Sequence, residues 1–288
     1  MNKLFKAMIF DNQLSLSVLE TTDMVNDAIK IHSLSPLAAA ALGRTMTVAT
    51  FMSSGLKNEG DKLSVVVAGD GVGGKITVCG NGRLDMRGTI ENPQCDLPLK
   101  SNGKLDVGGC VGKKGRISVV KSMGLKEQYS GTSALISGEI AEDFTGYYAI
   151  SEQQPTAMAL GVKIGKDCTC IGAGGVIIQA LPFAEEKNLI EAEKIINSLK
   201  NVSSVIEEGG AEKVIRDYFG GIEYEEYLPK PGYRCLCSRE YIEKILISLG
   251  KKEIDEIIAE KGKVEVDCEF CRKKYEFTKE QADGLFGL

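Results

Sequence analysis

The chain has 288 residues, 43% of them hydrophobic, which suffices for a real core and suggests two domains or one large domain with an appendage. Charged residues make up 26% and the net charge is −5, which argues against wholesale disorder and against a large basic nucleic-acid footprint. No apolar run approaches the ~20 residues that cross a bilayer, and the residues up to Asp11 carry neither an apolar h-region nor a small-residue cleavage site. A soluble cytoplasmic protein without a membrane or nucleic-acid partner is therefore expected.

The first elements read as mixed α and β. Leu4–Phe10 and Leu14–Glu20 are apolar-rich runs split by Asp11-Asn12-Gln13, a hairpin signal. Met24, Val25, Ala28 and Ile31 recur at helical spacing from Thr22 to Ile31. His32, the only histidine in the chain, ends this helix, where a cation offsets the dipole, and it reads as structural rather than catalytic. Ser35-Pro36 joins an N-cap to a proline at the first helical position. The Ala-rich, sparsely charged run that follows to about Met52 is expected to be a largely buried helix.

Strand-like runs come next at Lys62–Ala68, Lys75–Cys79, Leu84–Ile90, Arg116–Lys121 and Gln128–Ile136, most of them separated by glycine-rich turns. Gly69, Gly71 and Gly74 match the glycine spacing of a dinucleotide-binding loop. That motif needs a helix after it, however, and Lys75–Cys79 alternates like a strand, so a hairpin turn is expected. Ile140 to Ile150 reads as a helix, and Thr156–Ile164 and Gly174–Leu181 as two further strands. The pattern is that of one α+β domain, residues 1–181, with an antiparallel sheet and packed helices.

Composition shifts after Pro182. From Gln179 to Lys230 there are eleven acidic and six basic residues, a net −5 in this stretch alone. Leu189, Ala192, Ile195, Ile196 and Leu199 keep helical spacing, and Gly209-Gly210 and Gly220-Gly221 break the segment into pieces. Residues 182–231 therefore read as an acidic helical linker, either a solvated connector or a segment folded only conditionally. Pro229-Lys230-Pro231-Gly232 marks a boundary, and residues 232–288 form a small C-terminal domain with short helices at Tyr241–Leu249 and Glu253–Glu260 joined at Gly250.

The chemistry concentrates in that last domain. Cys235-Leu236-Cys237 is followed, thirty residues on, by Cys268-Glu269-Phe270-Cys271. Two close pairs of thiols in a cytosolic chain suit one tetrahedral Zn²⁺, with Cys235, Cys237, Cys268 and Cys271 as ligands of a closed Cys₄ site. A domain of this size lies below the ~70–80 residues at which a core alone gives reliable stability, so the metal is expected to hold it folded. The same thiols can be oxidised: Cys268 and Cys271 can close a Cys-x-x-Cys disulfide, and Cys235 and Cys237 only a small, strained and hence labile ring. Spacing leaves two readings open, a reversible redox switch and an ordinary structural zinc ribbon.

These residues resemble the redox-switch domain of the 33-kilodalton heat-shock chaperone family, and the resemblance runs along nearly the whole chain. Ser35-Pro36-Leu37-Ala38-Ala39-Ala40-Ala41-Leu42-Gly43-Arg44 is similar to that family's Ala-rich helix, and Val67-Ala68-Gly69-Asp70-Gly71 through Gly74 to its glycine hairpin. Arg87-Gly88, Asn92-Pro93, Tyr129-Ser130-Gly131, Ile140-Ala141-Glu142-Asp143 through Tyr148, and Ser151-Glu152-Gln153-Gln154-Pro155-Thr156 follow in the family's order. The resemblance implies an ATP-independent cytoplasmic holdase, not an enzyme. It would be inactive while reduced with one Zn²⁺ per chain and activated when an oxidant forms the disulfides Cys235–Cys237 and Cys268–Cys271. Zinc then leaves, the switch domain and linker unfold, and unfolding client proteins bind, often to a homodimer.

Two other classes compete. A thiol–disulfide oxidoreductase would use Cys268 and Cys271, although the motif does not follow a strand at a helix start. A zinc-ribbon nucleic-acid-binding protein would use Arg272-Lys273-Lys274, against the acidic total. Five cysteines, Cys79, Cys95, Cys110, Cys168 and Cys170, lie outside the four-ligand motif and are expected to be buried or semi-buried thiols. Cys168-Thr169-Cys170 forms a second Cys-x-Cys that could bridge under oxidation.

Overall fold

The computed structural model describes residues 2–124 and 128–286, and the chain separates into two units, Met1–Arg234 and Cys235–Leu288. In the first unit the opening apolar runs pair as a hairpin of β1 (Lys3–Ile9) and β2 (Leu14–Glu20), with Leu4 opposite Leu19 and Ile9 opposite Leu14. Helix α1 (Thr22–His32) follows, then α2 (Pro36–Ser53), where the Ser35 side chain accepts the Ala38 N–H and caps the helix. Next come β3 (Lys62–Ala68), β4 (Ile76–Asn81), β5 (Asp85–Ile90), the short α3 (Val107–Val111), β6 (Arg116–Ser122), β7 (Tyr129–Ala134) and α4 (Ile140–Tyr147). The first unit closes with β8 (Thr156–Ile164), β9 (Cys170–Ala180), α5 (Glu186–Ser198), α6 (Val202–Phe219) and the two-residue strands β10 (Glu225–Glu226) and β11 (Gly232–Tyr233).

The strands form two sheets, ordered β10-β1-β2-β9-β8 and β11-β5-β4-β3-β6-β7. Every pairing is antiparallel except β11 with β5. The α+β class with antiparallel sheets stands. The sequence reading does not separate two sheets, because alternation reveals which residues face a core and not which strands are neighbours.

Helix α2 shows why the Ala-rich run must be buried. It packs against β8 and β9 of the first sheet and against β3, β4 and β5 of the second. All of its residues except Pro36 and Arg44 are buried. Small side chains let the elements come close: a Cβ at Gly43 would lie 2.9 Å from Val162 and 2.9 Å from Val25. The buried hydroxyls of Thr45, Thr47 and Thr50 donate back to the carbonyls of Ala41, Gly43 and Met46, which satisfies these three groups inside the core.

Two boundaries differ most from the sequence reading. Strand β9 begins at Cys170 rather than Gly174, because its glycines are not breakers but the place where α6 crosses the sheet. A Cβ at Gly172 would stand 2.2 Å from the Ser203 carbonyl oxygen. The helix expected from Ile140 to Ile150 keeps α geometry only to Tyr147 and widens into a π turn over Tyr148–Glu152. Gly69, Gly71 and Gly74 lie in the turn between β3 and β4, and no helix follows them. His32 ends α1, buried, with Nε2 hydrogen-bonded to the Tyr233 hydroxyl at 3.0 Å.

The second unit holds α7 (Arg239–Leu249), α8 (Lys251–Lys261), a hairpin of β12 (Val264–Asp267) and β13 (Lys274–Phe277), and α9 (Lys279–Gly284). Its core is small: Ile242, Leu246, Ile254, Val264, Tyr275, Phe277 and Ala282. The Arg239 guanidinium covers the Phe277 ring at 4.2 Å.

Candidate metal centre

The four cysteines come from two separate pieces of the second unit. Cys235 and Cys237 lie on the extended chain just before α7, whose N-cap is Ser238. Cys268 and Cys271 lie in the turn between β12 and β13. That turn is closed by two backbone bonds, from Cys268 N–H to the Lys273 carbonyl at 3.0 Å and from Arg272 N–H to the Cys268 carbonyl at 2.8 Å, with Arg272 in the left-handed region at φ 58°. Both thiols of the turn are thereby turned toward the 235–237 segment.

All four sulfurs lie within 4.8 Å of one another and could hold a metal ion. The Cys235 and Cys268 sulfurs are 3.6 Å apart and those of Cys237 and Cys271 3.3 Å apart, so each of these contacts joins the two half-sites. In a tetrahedron with Zn–S bonds of ~2.3 Å, neighbouring sulfurs are about 3.8 Å apart. The donor set and its spacing therefore fit a four-thiolate Zn²⁺ site.

Electrostatics support thiolate character at one corner. Burial opposes ionisation of Cys237, but the Tyr275 hydroxyl donates to its sulfur at 3.2 Å and the neighbouring thiols add further bonds, which brings its pKa down to about 7. Burial instead pushes Cys235 and Cys271 upward. Tyr275 is a functional candidate that the sequence reading does not single out. Its only signal is its place two residues before Phe277, on the same face of a short strand.

The remaining cysteines are spread through the first unit. Cys110 and Cys170 are buried and Cys79 and Cys95 half-buried, as expected, but Cys168 is exposed. It occupies a left-handed turn position at φ 62° in the tight 165–169 loop. Burial raises the Cys170 thiol to about 12, which keeps it protonated at neutral pH.

The linker residues do not extend into solvent as a simple connector. Leu199 is buried and Leu189, Ile195 and Ile196 are partly buried against Phe5, Leu16, Val18, Val176 and Ile178 of the first sheet. Acidic groups of α6 meet bases on the sheet, in the pairs Lys3–Glu212 and Lys163–Glu207. The Glu20 carboxylate accepts the Ala211 N–H at 3.1 Å, where α6 kinks at Gly209-Gly210. Beside this packing the first unit carries a groove of about 1700 Å³ whose walls include Met8, Phe51, Met52, Tyr148 and Phe219. Among the described residues no helix is long and apolar enough to cross a membrane.

Comparison with known proteins agrees with this architecture. The family model described as "Hsp33 protein" matches residues 2–278. The 33 kDa chaperonin of Ruminiclostridium cellulolyticum is 45% identical over 268 residues, covering 92% of this chain and 91% of that protein. The 33 kDa chaperonin of Bacillus subtilis is 39% identical over 287 residues, covering 99% and 98%. The crystal structure of the 33 kDa chaperonin (heat shock protein 33 homolog) of Thermotoga maritima superposes with a TM-score of 0.88 at 32% identity, covering 99% of this chain and 97% of that one.

Proposed function

Because the chain belongs to the Hsp33 family, whose curated members are named as chaperonins, we propose that it is a redox-gated, ATP-independent holdase of the cytoplasm. The observation that carries this reading is the convergence of Cys235, Cys237, Cys268 and Cys271 in a unit with a small core, seven buried apolar residues among those described. When bound, Zn²⁺ supplies a four-way cross-link between the 235–237 segment and the 268–271 turn. Among the described residues the four thiols are the site's metal-ligating groups, and a closed Cys₄ set leaves no position for a substrate.

Under oxidation, Cys235 with Cys237 and Cys268 with Cys271 each lose two protons and two electrons to form an S–S bond. Peroxide or hypochlorite accepts the electrons and is reduced to water, with chloride in the second case. Each disulfide then lies within one half-site, so nothing ties the extended segment to the hairpin turn. The small core of Ile242, Leu246, Ile254 and Phe277 is left to hold the unit alone, and it unfolds.

The linker is the second part of the switch. In the reduced state α5 and α6 cover the apolar face of the first sheet, and the attachments that follow them are the two-residue strands β10 and β11. Detachment would expose Leu189, Ile195, Ile196 and Leu199 on one side and Phe5, Leu16 and Val18 on the other. Such contiguous apolar surface binds non-native chains, and a second activated copy as well, which accounts for a homodimer.

The test is light scattering of a chemically unfolded client protein on dilution, with reduced metal-loaded protein compared with protein oxidised under mild heat. Suppression after oxidation alone is the expected result. Equal suppression in both states would refute the gate, and none in either state would refute the chaperone reading.

A further inference from the structure

Outside the metal centre one other pair of thiols is in contact. The sulfurs of Cys95 and Cys110 lie 3.6 Å apart, although the residues belong to different elements. Each backbone is fixed independently. Cys95 closes a turn by donating its N–H to the Asn92 carbonyl at 3.1 Å, and its own carbonyl accepts the Ser35 hydroxyl at 2.5 Å. Ser35 is the cap of α2, so this turn is fastened to the start of the central helix. Cys110 lies in α3, and its carbonyl accepts the Gly73 N–H at 2.8 Å from the β3–β4 turn. Leu97 packs beside the pair at the edge of the main core.

The two thiols are not equivalent. Cys95 is half-buried and can be reached from solvent, whereas Cys110 is fully buried. Burial, and next the neighbouring Cys95, hold the Cys110 thiol well above its ordinary pKa. Cys95 is thus the sulfur that meets a small oxidant, and Cys110 is shielded from it but already in contact with its product.

We propose that Cys95 and Cys110 are a second peroxide-oxidisable thiol pair, which closes a disulfide inside the first unit and staples α3 and the 92–95 turn together. Cys95 attacks hydrogen peroxide, the O–O bond breaks, and a sulfenic acid and one water form. The Cys110 sulfur then attacks the Cys95 sulfur, the S–O bond breaks, and the Cys110 proton leaves with the hydroxide as a second water. In sum two thiols and one peroxide give one disulfide and two waters. A disulfide bond is ~2.0 Å long, so the sulfurs must close about 1.6 Å from their present contact for the bond to form. Oxidation would then act on the two units in opposite senses, taking a cross-link from the second and adding one to the first.

The experiment treats reduced, metal-loaded, full-length protein with hydrogen peroxide, blocks free thiols, and digests with trypsin without reduction. Cys95 and Cys110 fall in separate peptides, Gly88–Lys100 and Leu105–Lys113. The expected product is these two peptides linked, lighter by two hydrogens than their sum. In Cys110→Ser, where the sulfenic acid has no partner, dimedone labelling of Cys95 should rise at least several-fold over wild type. Closing a loop of about 15 residues should also raise the upper melting transition of the oxidised full chain by ~6–12 °C, a rise absent in Cys95→Ser and Cys110→Ser. Free thiols on both peptides after the four C-terminal cysteines are oxidised would overturn the proposal. So would equal dimedone labelling in wild type and Cys110→Ser. A linked pair without a rise in melting would overturn the stapling role. All these readouts are independent of client binding and of whether the C-terminal unit gates it.

Discussion

Removing the metal, or one of its ligands, should unfold the second unit and leave the first intact. Cys235 to Leu288 span 54 residues. At ~0.05–0.15 kcal/mol per residue a natural domain of that length has a net stability of about 3–8 kcal/mol. A structural Zn²⁺ contributes ~10–16 kcal/mol of apparent binding free energy, more than that whole margin. The unit's seven-residue core cannot replace it. Chelation of the wild type, or Cys271→Ser, which breaks the 3.3 Å contact with Cys237, should therefore lose zinc and melt α7 and α8 without any oxidant. Hydrogen exchange read by mass spectrometry is the assay: amides of 239–261 should exchange within seconds, whereas those of α2 should stay protected as in wild type. Zinc release, followed with a colorimetric chelator, gives the stoichiometry of one per chain. If 239–261 remains protected after the metal is removed, the reasoning from core size fails.

Further predictions follow from single contacts. Tyr275→Phe keeps the buried ring but removes the hydroxyl 3.2 Å from the Cys237 sulfur, and should weaken zinc affinity about 10-fold in a chelator competition, the lower end for outer-shell partners; unchanged affinity would rule out its role. Ile206→Ala truncates a buried α6 residue on the first sheet at a cost of about 2–5 kcal/mol, and should give partial suppression of client aggregation in the reduced state. A variant that loses α6 exchange protection and stays inactive would separate linker docking from the gate. Glu139 is held below the usual carboxylate range: burial opposes this, but Arg44 at 2.5 Å and Lys100 at 2.6 Å outweigh it. Its stabilisation is therefore present above the unfolded pKa of ~4.3 and is lost as pH falls through the folded value. Glu139→Gln should lower the first unit's melting temperature at pH 7, and the difference from wild type should shrink toward pH 3. A constant difference would contradict the ion pair as its cause.

The two units differ in the size of their cores. In the first, α2 is buried against both sheets, and a large core would survive the loss of any one contact. In the second, four sulfurs converge beside a small core, and sulfur is the atom an oxidant attacks. The linker stands between these regimes. Its apolar residues are packed, yet its acidic groups lie near the surface and its longer helix is kinked at Gly209-Gly210. Such a segment is suited to leave its sheet at moderate cost.

Much of this was legible in the residues themselves. Ser35-Pro36 and the alanines after it specify where α2 starts and that it is buried, since a cap and small apolar side chains act locally. The spacing of Leu189, Ala192, Ile195 and Ile196 specifies a helix with one apolar face. The two cysteine pairs mark where four thiols can converge, because only a few residues separate the members of each pair. Other features depended on the fold alone. Gly172 lies outside the strand expected at Gly174–Leu181, and only the fold shows α6 crossing it, since a close approach between distant elements leaves no local trace. That the linker's apolar face rests on the first sheet, that Tyr275 reaches Cys237, and that Cys95 meets Cys110 are all contacts between residues far apart in the chain or brought together by intervening turns. Propensity, capping and period act over a few residues and are written in the sequence. Which surfaces meet is decided by the packing of the whole chain, and the neighbour of a thiol is set only there.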